Sequence, residues 1–364
     1  MERFDSRGGE EGKEKIRLGC NPKGDKMTAN ATLSQAPFPY FGGKRTIARR
    51  VWERFGDVPN YVEPFFGSGA VLLNRPTAPH IETVNDADGL VANFWRAVKH
   101  DPEAVADFAD NPVNENDLHA RHMWLVGQKE SLQSRLEGDP ECFDAKIAGW
   151  WCWGLCCWIG SGFCSGKGPW HVVDGKLVHL GNAGQGVNRK LVHLGDAGRG
   201  VNRQLVHLRD AGGQGVNCKR ADGIVEWMLQ LAERLRRVRV CCGDWSRVCS
   251  DAPTVRQGVT GVFMDPPYAD TANRRGDLYR VDSNQVAHDV REWCLARGDD
   301  PRLRIILCGY EGEHDMPDSW ECVEWKARGG YSSQSRKHQN ANARRERIWC
   351  SPHCLRIARQ ATLF

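Results

Sequence analysis

The chain has 364 residues, and its 50 lysines and arginines nearly balance 46 aspartates and glutamates, which leaves a net charge of +4. This balance is too mild to indicate a nucleic-acid partner by itself, so any basic DNA-binding face must be local. The longest apolar stretch, residues 150–159, is too short to cross a bilayer, and we expect no transmembrane segment. The length favours one catalytic fold with a large insertion over two separate globular domains.

Fifteen cysteines are spread through strand-like and tryptophan-rich stretches rather than small spaced loops. With no signal peptide expected, this distribution predicts reduced thiols in a cytoplasmic protein rather than a disulfide framework. Cys152, Cys156, Cys157 and Cys164 crowd together, but they lack the paired short spacing of a structural zinc site. We therefore expect no metal.

The first 35 residues are polar and lack apolar periodicity, which predicts a disordered extension. Met27 leads directly into the first motif, so a translation start at Met27 is a hypothesis that mass spectrometry of the native protein tests. The following residues, 46–55, have the spacing of an amphipathic helix that stops at Gly56. Its apolar face consists of Ile47, Val51, Trp52 and Phe55.

A probable strand at Tyr61–Glu63 runs into a glycine-rich turn and then a helix. Gly67 and Gly69 let the backbone in this turn approach a bound ligand closely. The next strand ends at Asp86, and in a doubly wound sheet ligands bind beyond such carboxyl ends. An isolated aspartate in this position is usually a cap or turn residue, so only the rest of the pattern supports a ligand-binding role for Asp86.

A long interruption, residues 102–220, holds a polar helical portion and a cluster of tryptophans. Their mixed spacing favours a packed core over a platform that stacks on bases. The cluster consists of Trp150, Trp151, Trp153 and Trp158.

A fourteen-residue unit begins at Leu177, recurs at Leu191 and returns at Leu205 with one extra glycine. We interpret each copy as a short strand, Leu-Val-His-Leu, followed by a glycine-rich turn; copies so rich in glycine would bury too little for a solenoid. Two interpretations stay open. The copies are a duplicated surface loop without added function, or one copy probes DNA through Asn188–Arg189 or Asn202–Arg203.

The sheet resumes after the interruption with an amphipathic helix over about 221–239. Its apolar face consists of Ile224, Val225, Met228, Leu231, Ala232 and Leu235. Short strands then lead to Asp244 and Asp265, and residues 304–308 supply a later strand. Arginine-rich stretches at 274–275 and 336–347 are either phosphate contacts or solvated charged faces.

Four of these segments occur in the order that resembles the DNA adenine-N6 methyltransferases of the alpha group, the family of the GATC-type adenine methylases. They are Pro37–Lys44, Tyr61–Gly69, Thr83–Asp86 and Val262–Tyr268. The resemblance implies an α/β fold: a Rossmann-like S-adenosylmethionine-dependent methyltransferase sheet with an inserted, mostly helical and loop-rich target-recognition region. The match is weakest in the insertion, where the repeats have no counterpart.

The resemblance also divides the chain. We predict a disordered extension at 1–35, the first part of the methyltransferase core at 36–101, the inserted target-recognition region at 102–220 with repeats at 177–217, the second part of the core at 221–352, and a tail at 353–364.

By the same resemblance, S-adenosylmethionine is the methyl donor. Tyr40 and Lys44 would flank it, Asp86 would accept hydrogen bonds from its ribose hydroxyls, and Asp244 would lie near its adenine. Glu63 and the backbone around Gly67–Gly69 would hold the methionine end. The full predicted donor site is Tyr40, Lys44, Glu63, Phe65, Gly67, Gly69, Asp86, Asp244 and Asp265. The chain lacks the Gly-x-Gly-x-x-Gly and P-loop patterns, which argues against a dinucleotide or triphosphate in the same crevice.

The predicted catalytic residues are Asp265, Pro266, Pro267 and Tyr268. The exocyclic amine of adenine is a poor nucleophile because its lone pair is delocalised into the ring. Asp265 and the carbonyl of Pro266 can each accept an amine hydrogen, and proline offers this acceptor without a competing donor. Tyr268 would stack on the base once it has left the duplex. The alternative for this tetrapeptide alone is a plain turn after a buried strand.

We therefore predict a site-specific methyltransferase that acts on adenine N6 in duplex DNA by base flipping. The expected partner is double-stranded DNA, without a membrane, and the expected state is a monomer or weak dimer. The expected setting is bacterial cytoplasm, with an orphan phage or prophage enzyme compatible with the lack of a nuclease motif. Alternatives are transfer to cytosine N4, RNA or a protein amide, or a catalytically decayed DNA-binding module; an aspartate at position 265 favours adenine by family correlation.

Overall fold

The computed structural model describes residues 37–40, 42–78, 80–158, 163–164, 170–173, 176–179, 219–268, 285–325 and 345–357. The strands in these ranges are β1 Asn60–Glu63, β2 Ile81–Asp86, β3 Trp170–Val173, β4 Lys176–His179, β5 Val238–Cys242, β6 Thr260–Met264, β7 Leu303–Tyr310, β8 Glu321–Glu324 and β9 Glu346–Cys350. The helices are α1 Arg45–Phe55, α2 Ala70–Leu73, α3 Gly89–His100, α4 Pro102–Ala109, α5 Glu115–Gly138, α6 Ala145–Cys157, α7 Lys219–Leu235 and α8 Val286–Arg297.

Seven strands form a mostly parallel sheet in the order β5-β2-β1-β6-β7-β9-β8. The first five of these are parallel to one another, whereas β9 runs antiparallel to both of its neighbours, β7 and β8. The chain moves from β1 to β2 on one side and later returns to place β6 on the other side of β1. This reversal of strand order creates a crevice at the carboxyl ends. The mixed α/β architecture is compatible with the predicted methyltransferase fold.

Helix α1 confirms the amphipathic pattern that the sequence predicts. All four residues of the predicted apolar face are buried, and Gly56 ends the helix at a φ of 64°. Helix α7 is shorter than predicted, because it ends at Leu235 and Val238 already pairs with Glu82 in the sheet. The strands predicted before Asp244 and Asp265, and the strand over residues 304–308, are present as β5, β6 and β7.

The helices of the predicted insertion pack onto the same core as the sheet. Trp151 of α6 lies against Phe38 with ring centroids 4.9 Å apart, and Phe38 also contacts Phe94 of α3. The interpretation of the tryptophans as core is confirmed for Trp151, Trp153 and Trp158, which are buried. Trp150 is half-buried and meets Trp124 edge to face.

A buried ionic cluster joins two parts of the chain that are far apart in sequence. Glu82 of β2 accepts hydrogen bonds from Arg75, at 3.1 Å, and from both terminal nitrogens of Arg234 in α7, at 2.6 and 2.9 Å. The guanidinium of Arg75 also lies over the ring of Trp52 and donates to the carbonyl of Val58. Such a cluster is stable only when every partner is present, because a buried charge without its partner is strongly unfavourable.

The tandem repeats lie almost entirely outside the described residues. The start of the first copy is described, and its backbone forms β4, which pairs antiparallel with β3; this confirms the short strand predicted for that copy. The predicted extension at 1–35, Asn188–Arg189, Asn202–Arg203, the arginines at 274–275 and most of the stretch 336–347 lie outside the described residues.

None of the described cysteines, including Cys152, Cys156, Cys157 and Cys164, forms a disulfide bond. Within the described part of the chain, no group of three or more histidine, cysteine or acidic side chains could hold a metal ion. None of the described helices combines the length and the apolar character that crossing a membrane requires.

Candidate active site

A cleft opens at the edge of the sheet where β1, β2, β5 and β6 end. Its cavity volume is about 200 Å³, whereas a single water needs on the order of 15 Å³, so the cleft can hold a ligand of many atoms. The segment before α1 covers one side of it, and the start of α8 contributes Val286.

The glycine turn after β1 forms the floor of the cleft and has no room for side chains. Gly67 has a φ of +47°, and a Cβ at this position would lie 2.7 Å from a ring carbon of Tyr40. Gly69 has a φ of +65°, and its Cβ would lie 2.8 Å from the ring of Phe66. Both glycines are therefore required by backbone conformation and by close packing.

The last two residues of β2 tie the neighbouring loops together. The carboxylate of Asp86 accepts from the backbone N–H of Gly67 at 2.8 Å and from that of Asp88 at 2.9 Å. The side-chain amide of Asn85 donates to the carbonyls of Pro64 and Gly243, at 3.1 and 2.9 Å. These bonds fix the loops after β1 and β5 relative to β2.

Lys44 and Asp265 form an ion pair on the wall of the cleft. The ammonium lies 2.8 Å from the carboxylate, and 4% and 16% of the two side chains are exposed. The same ammonium donates to the carbonyl of Gly42 at 2.9 Å. Burial raises the pKa of Asp265, and the charge of Lys44 opposes that rise. The lysine thus favours the ionised form of a carboxylate that burial would otherwise neutralise.

Glu63 ends β1 as a second buried carboxyl group at the cleft. It accepts a hydrogen bond from the hydroxyl of Tyr61 at 2.9 Å. Burial raises the pKa of Glu63 well above its ordinary value, and the hydrogen bonds from Tyr61 and from the backbone of Leu72 only partly oppose this. The negative charge of Asp265 raises it further.

Tyr268 is not among the residues that line the cleft. Only 5% of the residue is exposed. Its hydroxyl donates to Glu346 of β9 at 2.7 Å, and its ring meets that of Tyr310 edge to face, with centroids 4.5 Å apart. Burial raises the pKa of Glu346, and Lys44 opposes the rise. Lys44 also lies 5.3 Å from the ring centroid of Tyr268.

Two aromatic rings flank the other end of the cleft. Phe65 follows β1 and Trp245 follows β5, and their rings stack with centroids 6.2 Å apart and an interplanar angle of 29°. Asp244 caps the short 3-10 turn that contains Trp245 by accepting from the backbone N–H of Ser246. A flat ring that carries an N–H donor could stack on these aromatic rings and donate a hydrogen bond to the carboxylate of Asp244.

The structure brings together most of the residues predicted for the site. Those that line the cleft are Tyr40, Lys44, Glu63, Phe65, Gly67, Asp86, Asp244, Asp265 and Pro267. The residues Gly69, Pro266 and Tyr268 do not line the cleft, although each belongs to a turn that contains lining residues.

The sequence analysis missed Asn85, Asp88, Trp245 and Glu346 as contributors. Asn85 lies inside the segment Thr83–Asp86, and Trp245 directly follows the predicted residue Asp244. Glu346 has no local signal, because its partner Tyr268 is 78 residues away.

The cleft is strongly acidic. The ionisable side chains that line it are Lys44 and the five carboxyl groups of Glu63, Asp86, Asp88, Asp244 and Asp265. A ligand with a net positive charge would therefore be favoured over an anionic one.

A comparison with known families supports the first part of the motif pattern. Residues 40–123 match the family described as D12 class N6 adenine-specific DNA methyltransferase. No curated protein matches the chain. The matched region contains the end of the segment before α1, the glycine turn and the end of β2, so over these residues the chain is similar to the predicted family.

Proposed function

We propose that this chain, which is similar to the D12 class N6 adenine-specific DNA methyltransferases over residues 40–123, transfers a methyl group from S-adenosylmethionine to the N6 amine of an adenine turned out of duplex DNA. The observation that carries the proposal is that Asp265 lines the same cleft as Gly67 and Asp86. The turn expected to hold the amine and the turn expected to hold the donor thus face one cavity, although about 180 residues separate them in sequence.

The residues of the cleft fit S-adenosylmethionine. The donor is a cation at its sulfonium centre, and the cleft has a large excess of carboxyl groups. Its adenine would lie against Phe65 and Trp245, and its polar methionine end would reach Glu63 and the backbone at Gly67. Asp86 would accept from the ribose, although both of its oxygens already accept from backbone N–H groups; each carboxylate oxygen can accept a second bond.

The bound donor supplies an electrophilic methyl group on a sulfonium centre. The chain's own part is to make the adenine amine nucleophilic. The carboxylate of Asp265 and the carbonyl of Pro266 would each accept a hydrogen bond from the amine, which draws the lone pair out of conjugation and directs it toward the methyl group. As the bond from N6 to the methyl carbon forms and the bond from the methyl carbon to sulfur breaks, the amine loses one proton, which the carboxylate of Asp265 can accept. Lys44 favours the ionised form of Asp265, and only the ionised carboxylate offers its full acceptor capacity.

The target base must leave the helix, because its amine is paired inside the duplex. Unstacking a base costs a few kcal/mol, and contacts in the pocket must offset this. Pro267 lines the cleft beside Asp265 and offers a rigid apolar surface to the base.

The decisive experiment measures which molecule accepts the methyl group. The purified protein is incubated with labelled S-adenosylmethionine and unmethylated duplex DNA, and the digested nucleosides are separated. We expect the label in N6-methyldeoxyadenosine. Parallel reactions offer RNA and protein as acceptors, and label in N4-methylcytosine, in RNA only or in protein only would contradict the proposal.

Two variants make the assay specific for the site. Asp265→Asn keeps the size of the side chain but replaces a carboxylate acceptor with an amide, and it should abolish labelling. Asp318→Asn makes the same change at an exposed position before β8 and should leave labelling unchanged. Equal activity of the two variants would show that Asp265 has no role in the reaction.

A further inference from the structure

The turn that carries the amine acceptors has no backbone donor at its two central residues. Pro266 and Pro267 have no N–H group, so neither can donate a backbone hydrogen bond to a neighbouring strand. On the upstream side the turn is anchored by β6, whose last residue, Met264, pairs with Leu307 of β7. On the downstream side, the described contacts that hold the turn are those of the Tyr268 side chain.

Tyr268 is held by groups from two other strands. Its ring packs edge to face on Tyr310 at the end of β7, and its hydroxyl donates to Glu346 at the first residue of β9. Both partners are buried. A ring contact restrains the distance between two side chains, whereas a hydrogen bond to a carboxylate also restrains direction, and it is about twice as strong as a bond between neutral groups.

Glu346 also belongs to the charge cluster around Asp265. The ammonium of Lys44 pairs with Asp265 at 2.8 Å and attracts the carboxylate of Glu346. The hydroxyl of Tyr268 donates to Glu346, and the ring of Tyr268 lies beside the same ammonium. Cys308 of β7 and Tyr310 complete the surroundings of Glu346. The acceptor carboxylate and the carboxylate of β9 are therefore connected through one lysine and one tyrosine.

We infer that Glu346 is a positioning residue for methyl transfer: by accepting the hydrogen bond of Tyr268 it fixes the Asp265–Tyr268 turn, and with it the two acceptors of the adenine amine. The inference rests on the proposed function, since it assigns a role within that reaction. It gives Tyr268 a task that needs the hydroxyl group, whereas stacking on a base needs only the ring.

A double-variant cycle separates these two tasks. Tyr268→Phe keeps the ring and removes the hydroxyl, Glu346→Ala removes the acceptor, and Glu346→Gln keeps a neutral acceptor of the same size. The kcat and KM for DNA, the dissociation constant of S-adenosylmethionine and the folded fraction are measured for each single variant and for Tyr268→Phe with Glu346→Ala. Glu130→Ala removes a carboxylate from an exposed position of α5, outside the cleft, and is the matched control.

We expect Tyr268→Phe and Glu346→Ala each to lower kcat per folded molecule by about tenfold, the size expected for loss of a hydrogen bond to a charged group. The kcat of the double variant should be no lower than that of the less active single variant, because both changes break the same bond. Glu346→Gln should retain more activity than Glu346→Ala, and donor binding should be unchanged in all of them.

Two results would overturn the inference. One is a wild-type kcat for Tyr268→Phe, which would leave the ring alone as the useful group. The other is a double variant whose loss equals the product of the two single losses, which would mean that the residues act independently. Wild-type protein that does not methylate adenine in the same assay would instead refute the proposed function, so the two failures are distinguishable.

Discussion

The ammonium of Lys44 lies 2.8 Å from the carboxylate of Asp265, so a residue that precedes the first helix supplies the counter-charge for the predicted catalytic group. The two residues come from the first and last of the motifs that the sequence analysis found. Their contact links the predicted donor side of the cleft to the acceptor side, and it makes the protonation of Asp265 depend on Lys44.

Replacing this lysine should alter both the rate and its pH dependence. In Lys44→Met the pKa of Asp265 rises further, because burial still raises it and the ammonium no longer opposes the rise. At a given pH fewer molecules then have the ionised carboxylate. We therefore expect a lower kcat on the acid side of the profile, and the acid limb of the pH–rate profile should move to higher pH.

The control for this change is Lys99→Met. Lys99 lies in α3 and donates to the carbonyl of Val238, and it is not part of the cleft. Its replacement should leave the pH–rate profile where it is. An unshifted acid limb in Lys44→Met would contradict the role given to the ion pair.

The glycine turn should tolerate no side chain at its first glycine. Gly67→Ala forces a left-handed conformation on a residue with a Cβ, which costs about 1–2 kcal/mol, and brings that Cβ against the ring of Tyr40. We expect a lower melting temperature and weaker binding of S-adenosylmethionine, measured by thermal unfolding and calorimetry.

The matched control for Gly67→Ala is Gly127→Ala. Gly127 lies inside α5 with open space where a Cβ would stand, so alanine should stabilise the helix by about 0.5–1 kcal/mol. Donor binding should stay as in the wild type. If Gly67→Ala also binds the donor normally, Gly67 is not part of the donor site.

The buried carboxyl group of Glu63 should make stability depend on pH. Its pKa in the folded state is raised well above the ordinary value, so folded molecules retain a proton that unfolded molecules release. Its contribution to stability is therefore complete below the unfolded pKa, about 4.3, and declines as pH rises toward the folded pKa. Glu63→Gln should remove this decline.

Denaturant unfolding of both proteins at pH 5 and pH 8 checks the sign. Relative to the wild type, Glu63→Gln should be more stable at pH 8 than at pH 5. The exposed Glu130 of α5 provides the control, because Glu130→Gln should show the same difference from the wild type at both values. A Glu63→Gln difference that is independent of pH would refute the raised pKa.

Deleting residues 191–204 removes one copy of the repeat and tests its two interpretations. If the copies are a duplicated surface loop, the shortened protein should methylate the same DNA sites at the same rate, since the two remaining copies retain the unit. The methylated sites are identified by sequencing DNA that has been incubated with each protein. A changed set of sites, with donor binding intact, would instead favour a copy that probes DNA.

The sequence predicts the positions of site residues well where the motif that contains them is short and contiguous. Gly67, Asp86 and Asp265 could be located because each follows a recognisable strand, and parallel strands bring their carboxyl ends to one edge. The packing of Trp151 could be predicted only as burial, because no pattern shows that its neighbour is Phe38. The direction of the Tyr268 ring was not predictable either, since it depends on Glu346 and Tyr310, which reach it only after β7 and β9 have joined the sheet.

The ionic cluster of Arg75, Glu82 and Arg234 has a consequence for dissecting the protein. The region that matches the methyltransferase family ends at residue 123, but Glu82 takes two of its hydrogen bonds from α7 and β2 pairs with β5 along its outer edge. A fragment of residues 40–123 would lack Arg234 and expose that edge, a loss of about 3–5 kcal/mol for the charge alone. The boundaries of the recognisable family segment are therefore not the boundaries of a folding unit, and fragments cut there should be insoluble.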